Sequence, residues 1–271
     1  MQIEGAVAVV TGGANGIGRA LAQEFARRGA AGVVVADIDL IHAEQVASRI
    51  GGIAVPCDVG DFDQIESLVA TAREVYGRID VFCSNAGYSD PITWDLSQSI
   101  EDYERLTRVN LLSHVVAAKA VLPEMARRGS GYLLQTLSSA ALTTAPAAAG
   151  YVWTKHGALG FAEWVALVYG QQGVRVSCLC PNAVYTGMFG RPRDLDAPAA
   201  IPVDIPGVEA MLLPEDVAAF SVDAMEGSEP FLILPHPKVG ESFQRKADDY
   251  DGWITRIRSR TEAVRAAGLG S

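Results

Sequence analysis

Seven short β-branched runs, spaced by longer segments of helical period, limit what this chain can become. The runs AVAVV (6–10), GVVVA (32–36), IAVPC (53–57), DVFCS (80–84), GYLLQT (131–136), VRVSCL (174–179) and PFLILP (230–235) are apolar on both faces. A strand covered by helices on each side has that character, whereas a half-exposed strand alternates. Between them lie GRALAQEFARRG, LIHAEQVASRI, FDQIESLVATAREVYG, a long stretch from Ile100 to Arg128, another from Tyr151 to Gln172, and PEDVAAFSVDAM. This series predicts an α/β fold: one doubly wound, seven-stranded parallel sheet flanked by helices.

With no internal repeat and no Ser/Gly linker, a single domain over residues 1–271 is expected. Two segments break the rhythm. Residues 188–213 are rich in proline and apolar side chains and follow the sixth strand, on the edge where doubly wound folds bind ligands. Their Met188, Phe189, Ile201, Ile205 and Met211 suggest a small to medium, largely apolar substrate. Residues 236–271 extend the chain beyond the seventh strand. Within them, 240–265 reads as one terminal helix whose Phe243, Tyr250, Trp253, Ile254 and Ile257 fit packing or a subunit contact.

Composition removes several classes. At 49% hydrophobic and 20% charged residues, the chain can bury a large core. A net charge of −10 opposes a nucleic-acid groove, which needs clustered lysine and arginine. The pairs Arg27/Arg28 and Arg127/Arg128 suit helix carboxyl ends instead. No apolar run is long enough for a membrane span, and MQIEGAVAVVTGG has neither the basic start nor the cleavage site of a signal peptide, so a cytoplasmic protein is expected. Cys57, Cys83, Cys178 and Cys180 sit in or beside strand runs. Although Cys178 and Cys180 would share one strand face, no His-rich segment accompanies them, and buried free thiols are the better reading. No metal site is expected.

The first strand runs into TGGANGIGRALAQEF, placing Gly12, Gly16 and Gly18 at the turn and start of a helix. There the chain must turn tightly, and a pyrophosphate reaches backbone N–H groups only where no Cβ intervenes. Asp37, nineteen residues beyond Gly18 at the end of the second strand, can accept hydrogen bonds from ribose hydroxyls and would repel a 2′-phosphate. No basic residue adjoins it, so NAD is preferred over NADP. Asp39 is the better candidate for capping the next helix. Asp58 and Val59, then Asn85, Ala86 and Gly87, follow strands three and four at the same edge; either segment also suits an ordinary turn.

Tyr151 and Lys155 lie one turn apart if Tyr151 begins a helix. A phenol has a usual pKa of about 10, and a nearby ammonium lowers it, which would let Tyr151 exchange a proton with an alcohol or carbonyl. Ser138, at the end of strand five, can hold the same substrate oxygen. His114 and His156 are poor catalytic candidates, the first facing helix packing and the second turned off the Tyr151–Lys155 face. Tyr88, Tyr169 and Tyr185 lack a lysine four positions on. Tyr185 and Phe189 suit either pocket walls or apolar packing.

Together these residues resemble the classical short-chain dehydrogenases/reductases, over roughly residues 5–190. TGGANGIG matches the TGxxxGxG turn, CDV (57–59) the adenine-side segment, SNAG (84–87) the usual NNAG, YVWTK the YxxxK pair and CPNAVYTGM the segment after strand six. The resemblance implies a Rossmann fold and an NAD-dependent hydride transfer between a secondary alcohol and a ketone. It implies cofactor contacts from Gly12, Asn15, Gly16, Ile17, Gly18, Asp37, Asp58, Val59, Asn85, Ala86, Gly87, Pro181, Val184 and Thr186. It also implies a relay of Asn110, Ser138, Tyr151 and Lys155, in which Asn110 keeps a water and Lys155 also meets the cofactor ribose. The thirteen-residue spacing to Tyr151 selects Ser138 over Ser139. Relatives of this kind are mostly dimers or tetramers, through the helices of 100–128 and 151–172.

Two departures stand out. Ser84 replaces an asparagine, and Asn182 replaces the glycine after Pro181, where an added side chain can narrow the nicotinamide pocket or touch substrate. Residues 236–271 receive no role by resemblance. A nucleotide-sugar epimerase or dehydratase would carry an earlier GxxGxxG and a larger carboxyl-terminal domain, neither of which is present. The remaining alternative is a regulatory protein that binds NAD without chemistry.

Overall fold

The computed structural model describes residues 1–91, 93–187 and 210–266. Its elements run β1 (Val7–Thr11), α1 (Gly16–Arg27), β2 (Gly32–Asp37), α2 (Leu40–Ile50), β3 (Ile53–Pro56), α3 (Phe62–Tyr76) and β4 (Val81–Ser84). They continue with α4 (Ile100–Thr107), a π-helical turn (Arg108–Leu112), α5 (Ser113–Arg128), β5 (Gly131–Thr136), α6 (Ser139–Leu142), α7 (Ala149–Tyr169), a 3₁₀ turn (Gly170–Gln172) and β6 (Val174–Leu179). The chain then forms α8 (Pro214–Glu226), β7 (Leu232–Ile233), α9 (Pro237–Asp248) and α10 (Tyr250–Ala266).

All seven strands are parallel, in the order β3-β2-β1-β4-β5-β6-β7. The chain winds outward from β1 to β3, then returns to β4 and winds the other way. Above the carboxyl ends of β1 and β4 neighbouring connections therefore part, leaving the crevice typical of such sheets.

Burial explains why the strands read as unbroken apolar runs. Side chains of one sheet face, among them Val9, Val34, Phe82 and Leu133, pack with Leu68, Val121 and Val165 from α3, α5 and α7. Those of the other face, including Val10, Val35 and Leu134, pack with Phe25, Val46 and Val222 from α1, α2 and α8. The four cysteines are buried and free. Asp39 caps α2 through the His42 N–H, as its position suggests. No helix among the described residues is long and apolar enough to cross a membrane.

Three elements differ from their sequence reading. PFLILP forms only a two-residue strand, because β7 is the sheet edge and only Leu232 and Ile233 pair with β6. The stretch 100–128 is interrupted by the π turn. The expected single helix over 240–265 is two helices, α9 and α10, parted at Asp249, whose carboxylate accepts from the Gly252 N–H and from Arg256. Trp253 is buried, while Phe243, Tyr250 and Ile254 keep substantial exposure.

Candidate active site

A cavity of about 1260 Å³ opens above the carboxyl ends of the central strands. At one end is the turn from β1 into α1. Gly12 has φ +66° and Gly16 φ +54°, a backbone region closed to most side chains. A Cβ on Gly12 would lie 2.9 Å from the Ala86 Cα, and one on Gly18 only 2.1 Å from the Gly12 carbonyl oxygen. Asn15 caps α1 by accepting from the Gly16 N–H at 2.8 Å, and the first turn carries no acidic side chain. The positive end of the helix dipole thus faces the cavity uncompensated, and Ile17 lines the wall beside it.

Asp37 closes this end. Its Oδ2 accepts from the Ala14 N–H and its Oδ1 from the Asp39 N–H, both at 2.9 Å, which fixes the carboxylate while leaving lone pairs for a further donor. Asp58 accepts from the Gly60 N–H at 2.8 Å, and Asp58 and Val59 line the adjoining wall. Asn85 turns its amide inward, donating to the Thr11 carbonyl at 3.0 Å, so it braces the glycine turn as well as lining the cavity with Ala86 and Gly87.

At the other end, Ser138, Tyr151 and Lys155 come together from β5's exit and from α7. Ser138 caps α6, accepting from the Ala140 N–H at 3.1 Å, and its hydroxyl lies near enough to the Tyr151 phenol to pull that group's pKa down. Lys155 is buried, donates to the Thr136 carbonyl at 2.9 Å, and holds its Nζ 5.5 Å from the centre of the Tyr151 ring. Pro181, Asn182, Val184 and Thr186 form the facing wall.

The electrostatics depart from the sequence reading. Burial pushes the Tyr151 phenol above its ordinary value, with the Ser138 hydrogen bond pulling the other way and Asp90 adding to the rise. Burial also lowers the Lys155 amine to about 8. A lowered phenol was expected from the neighbouring ammonium alone. In the ligand-free chain desolvation outweighs that attraction, and the ammonium is directed to a carbonyl.

Asn110 sits on the π turn, fully buried, yet does not line the cavity. Its Nδ2 donates to the Tyr88 carbonyl at 2.8 Å and to Thr154 Oγ1 at 3.4 Å, and its Oδ1 accepts from the Tyr88 N–H at 3.1 Å. His114 is buried, with its pKa pushed down to about 3 by desolvation, and His156 Nδ1 bonds the Val152 carbonyl. Neither histidine lines the cavity. Tyr185 is buried away from it. Met188, Phe189, Ile201 and Ile205 lie outside the described residues, and Met211 does not line the cavity. Among the described residues no group of three His, Cys, Asp or Glu is placed to hold a metal.

Two contributors escaped the sequence reading. Thr11 Oγ1 accepts from the Asn85 and Ala86 N–H groups at 3.0 and 3.1 Å, tying the first glycine turn to the SNAG segment. Asp90, buried, accepts from the N–H groups of Gly150 and Tyr151 at 3.2 Å each, and so anchors the start of α7. An aspartate before Pro91 was the available signal, but its partner lies sixty residues on.

Comparison with known proteins gives a consistent result. The short chain dehydrogenase family model matches residues 6–195. A 1-deoxy-11-beta-hydroxypentalenate dehydrogenase of Streptomyces exfoliatus is 35% identical, over 92% of this chain and 90% of its own. A borneol dehydrogenase of Lavandula x intermedia is 35% identical, over 80% and 82%. Among solved structures, a short chain dehydrogenase/reductase from Burkholderia phymatum in complex with NAD superposes with a TM-score of 0.80 at 25% identity, covering 93% of this chain and 96% of that one.

Proposed function

The chain belongs to the short-chain dehydrogenase/reductase family of oxidoreductases, and on that premise we propose that it moves a hydride between a secondary alcohol and NAD. One observation carries the reading: Ser138, Tyr151 and Lys155 share a single cavity with the glycine turn and Asp37.

The residues at the nucleotide end fit a dinucleotide. Gly12 and the segment Asn15 to Gly18 would receive the pyrophosphate, in a cradle that a Cβ would fill. Asp37 would take the ribose hydroxyls, Asp58 and Val59 would flank the adenine, and Asn85 to Gly87 would border the adenosine side. Pro181, Val184 and Thr186 would meet the nicotinamide end. Asp39 follows Asp37 closely, and a second carboxylate disfavours a 2′-phosphate, so NAD is chosen over NADP. Bound there, NAD supplies the hydride acceptor for alcohol oxidation.

Tyr151 exchanges the proton with the substrate oxygen, and Ser138 holds that oxygen by a hydrogen bond. Because burial keeps the proton on the phenol, Tyr151 stands ready as the acid for ketone reduction. For oxidation it must first lose that proton, which the Lys155 cation favours relative to an equally buried phenol without it. Both ends of the Asn110 side chain are engaged, so a relay water beside it would be held by the main chain of the π turn.

The hydroxy-terpenoid names of the two dehydrogenase relatives favour a bulky, apolar alcohol. Leu137, Tyr88 and Pro91 among the lining residues suit such a substrate. We further propose a homodimer or homotetramer formed through α4, α5 and α7.

Tyr151→Phe tests the reading. In a screen of cyclic secondary alcohols with NAD and NADP offered in parallel, the variant should lose at least about a hundredfold in kcat while binding NADH as the wild type does. Near-normal turnover would remove Tyr151 as the acid and base. Better use of NADP would overturn the role given to Asp37.

A further inference from the structure

The helices after β7 reach back to the rest of the fold, and one of the side chains that does so is a buried lysine. Lys246 on α9 is 8% exposed. Its Nζ donates to the Leu142 carbonyl at 3.0 Å and to the Thr143 carbonyl at 3.2 Å, and lies 4.9 Å and 5.5 Å from the ring centres of Trp253 and Tyr250. A lysine is seldom buried unless its ammonium is satisfied, and here two carbonyls and two aromatic rings serve.

Those carbonyls close the carboxyl end of α6, the four-residue helix whose N-cap is Ser138. A helix this short has too few internal hydrogen bonds to hold itself, so its position depends on what grips its ends. At the amino end, the Ser139 N–H donates to the Pro181 carbonyl at 2.7 Å. At the carboxyl end, Lys246 supplies the donors that a helix terminus needs. The same terminal segment touches the facing wall, where the Asn182 N–H donates to Nδ1 of the buried His236 at 3.1 Å. The chain beyond β7 thus grips the exits of both β5 and β6.

We propose that Lys246 is a positioning residue: by clamping the carboxyl end of α6 it fixes the Ser138 hydroxyl relative to Tyr151 for hydride transfer. The proposal rests on the dehydrogenase reading of Ser138 and Tyr151. Loosening the clamp leaves the nucleotide end of the cavity intact and lets Ser138 wander, so the loss falls on turnover rather than on cofactor affinity.

Lys246→Met keeps an unbranched aliphatic stem and removes the ammonium that sits over Trp253. With the alcohol that the wild type oxidises best, kcat should fall about tenfold while the NADH dissociation constant stays within about twofold, and Lys246→Arg should recover most of the loss. Amide hydrogen exchange at residues 139–148 should quicken in Lys246→Met, with residues 12–19 unchanged. A folded Lys246→Met with wild-type kcat and wild-type exchange at 139–148 overturns the clamp. Should that variant not fold, Tyr250→Leu alters a ring that is 57% exposed and should quicken the same amides to a smaller degree; unchanged exchange there is equally fatal. If the wild type oxidises no alcohol, the dehydrogenase reading fails. Exchange at 139–148 then decides the clamp alone.

Discussion

Lys155 carries a cost in stability at the place where the proposed chemistry would lie. Its amine is buried and its pKa lowered from 10.5 to about 8, which corresponds to about 3 kcal/mol of unfavourable burial at neutral pH. The unfolded chain keeps the proton up to its ordinary value, whereas the folded chain releases it near 8. Stability from this group is therefore greatest above pH 10.5, declines as pH falls through that window, and bottoms out below 8. Lys155→Met removes the cost but strands the Thr136 carbonyl, which takes back about 1–3 kcal/mol. The net expectation at pH 7 is a protein up to about 4 °C more heat-resistant than the wild type, and inactive. Calorimetry across pH would show the gap closing near about pH 9 and reversing by about pH 10, where the burial cost has fallen below about 1 kcal/mol while the stranded carbonyl remains. A variant that melts lower at pH 7 would contradict this balance.

Among the elements, the β1–α1 turn is the least tolerant of an added atom. A Cβ on Gly18 would meet the Gly12 carbonyl oxygen at 2.1 Å and the Asn85 Nδ2 at 2.5 Å, so the turn must open. Gly18→Ala should weaken NADH binding more than tenfold in a chain whose circular dichroism is unchanged, as read by cofactor fluorescence; unaltered affinity would detach this turn from the cofactor. The turn was legible in the sequence because its glycines are local and its context, strand then helix, is local too. So were the buried strands and the cap at Asp39. The π turn at 108–112 was not, since no side-chain pattern distinguishes it from α-helix, and its Asn110 is held by Tyr88 and Thr154 from other elements. The break at Asp249 carried a capping signal that the surrounding helical period masked. Lys246 was illegible for a different reason: its partner carbonyls lie about a hundred residues upstream, and backbone acceptors leave no mark on sequence. The direction of the Tyr151 shift was misread because spacing reveals a neighbouring charge and hides the desolvation that outweighs it.

Across the whole molecule, the two ends of the sheet serve different ends. The amino-terminal edge is fastened by Asp80, only 1% exposed, whose carboxylate accepts from the Val7 N–H and pairs with Arg78 and Arg128. The carboxyl-terminal edge instead leaves helix dipoles and glycine turns open around the cavity, so rigidity at one end supports openness at the other. A third surface remains apolar: on α7, Leu167 is 81% exposed and Trp153 and Trp164 more than half so, while Ile100 opens α4 at 69%. Side chains of this kind gain about 1.5–3 kcal/mol each on burial, enough together to hold subunits if a second copy covers them. Light scattering should accordingly give two or four times the chain mass. Leu167→Glu places a charge in that contact and should raise the dissociation constant at least tenfold, about 1.4 kcal/mol, without loss of helical circular dichroism. A wild type that scatters as a monomer at micromolar concentration would leave this face to some other occupant and would separate α7's inner role, carrying Tyr151 and Lys155, from any role in assembly.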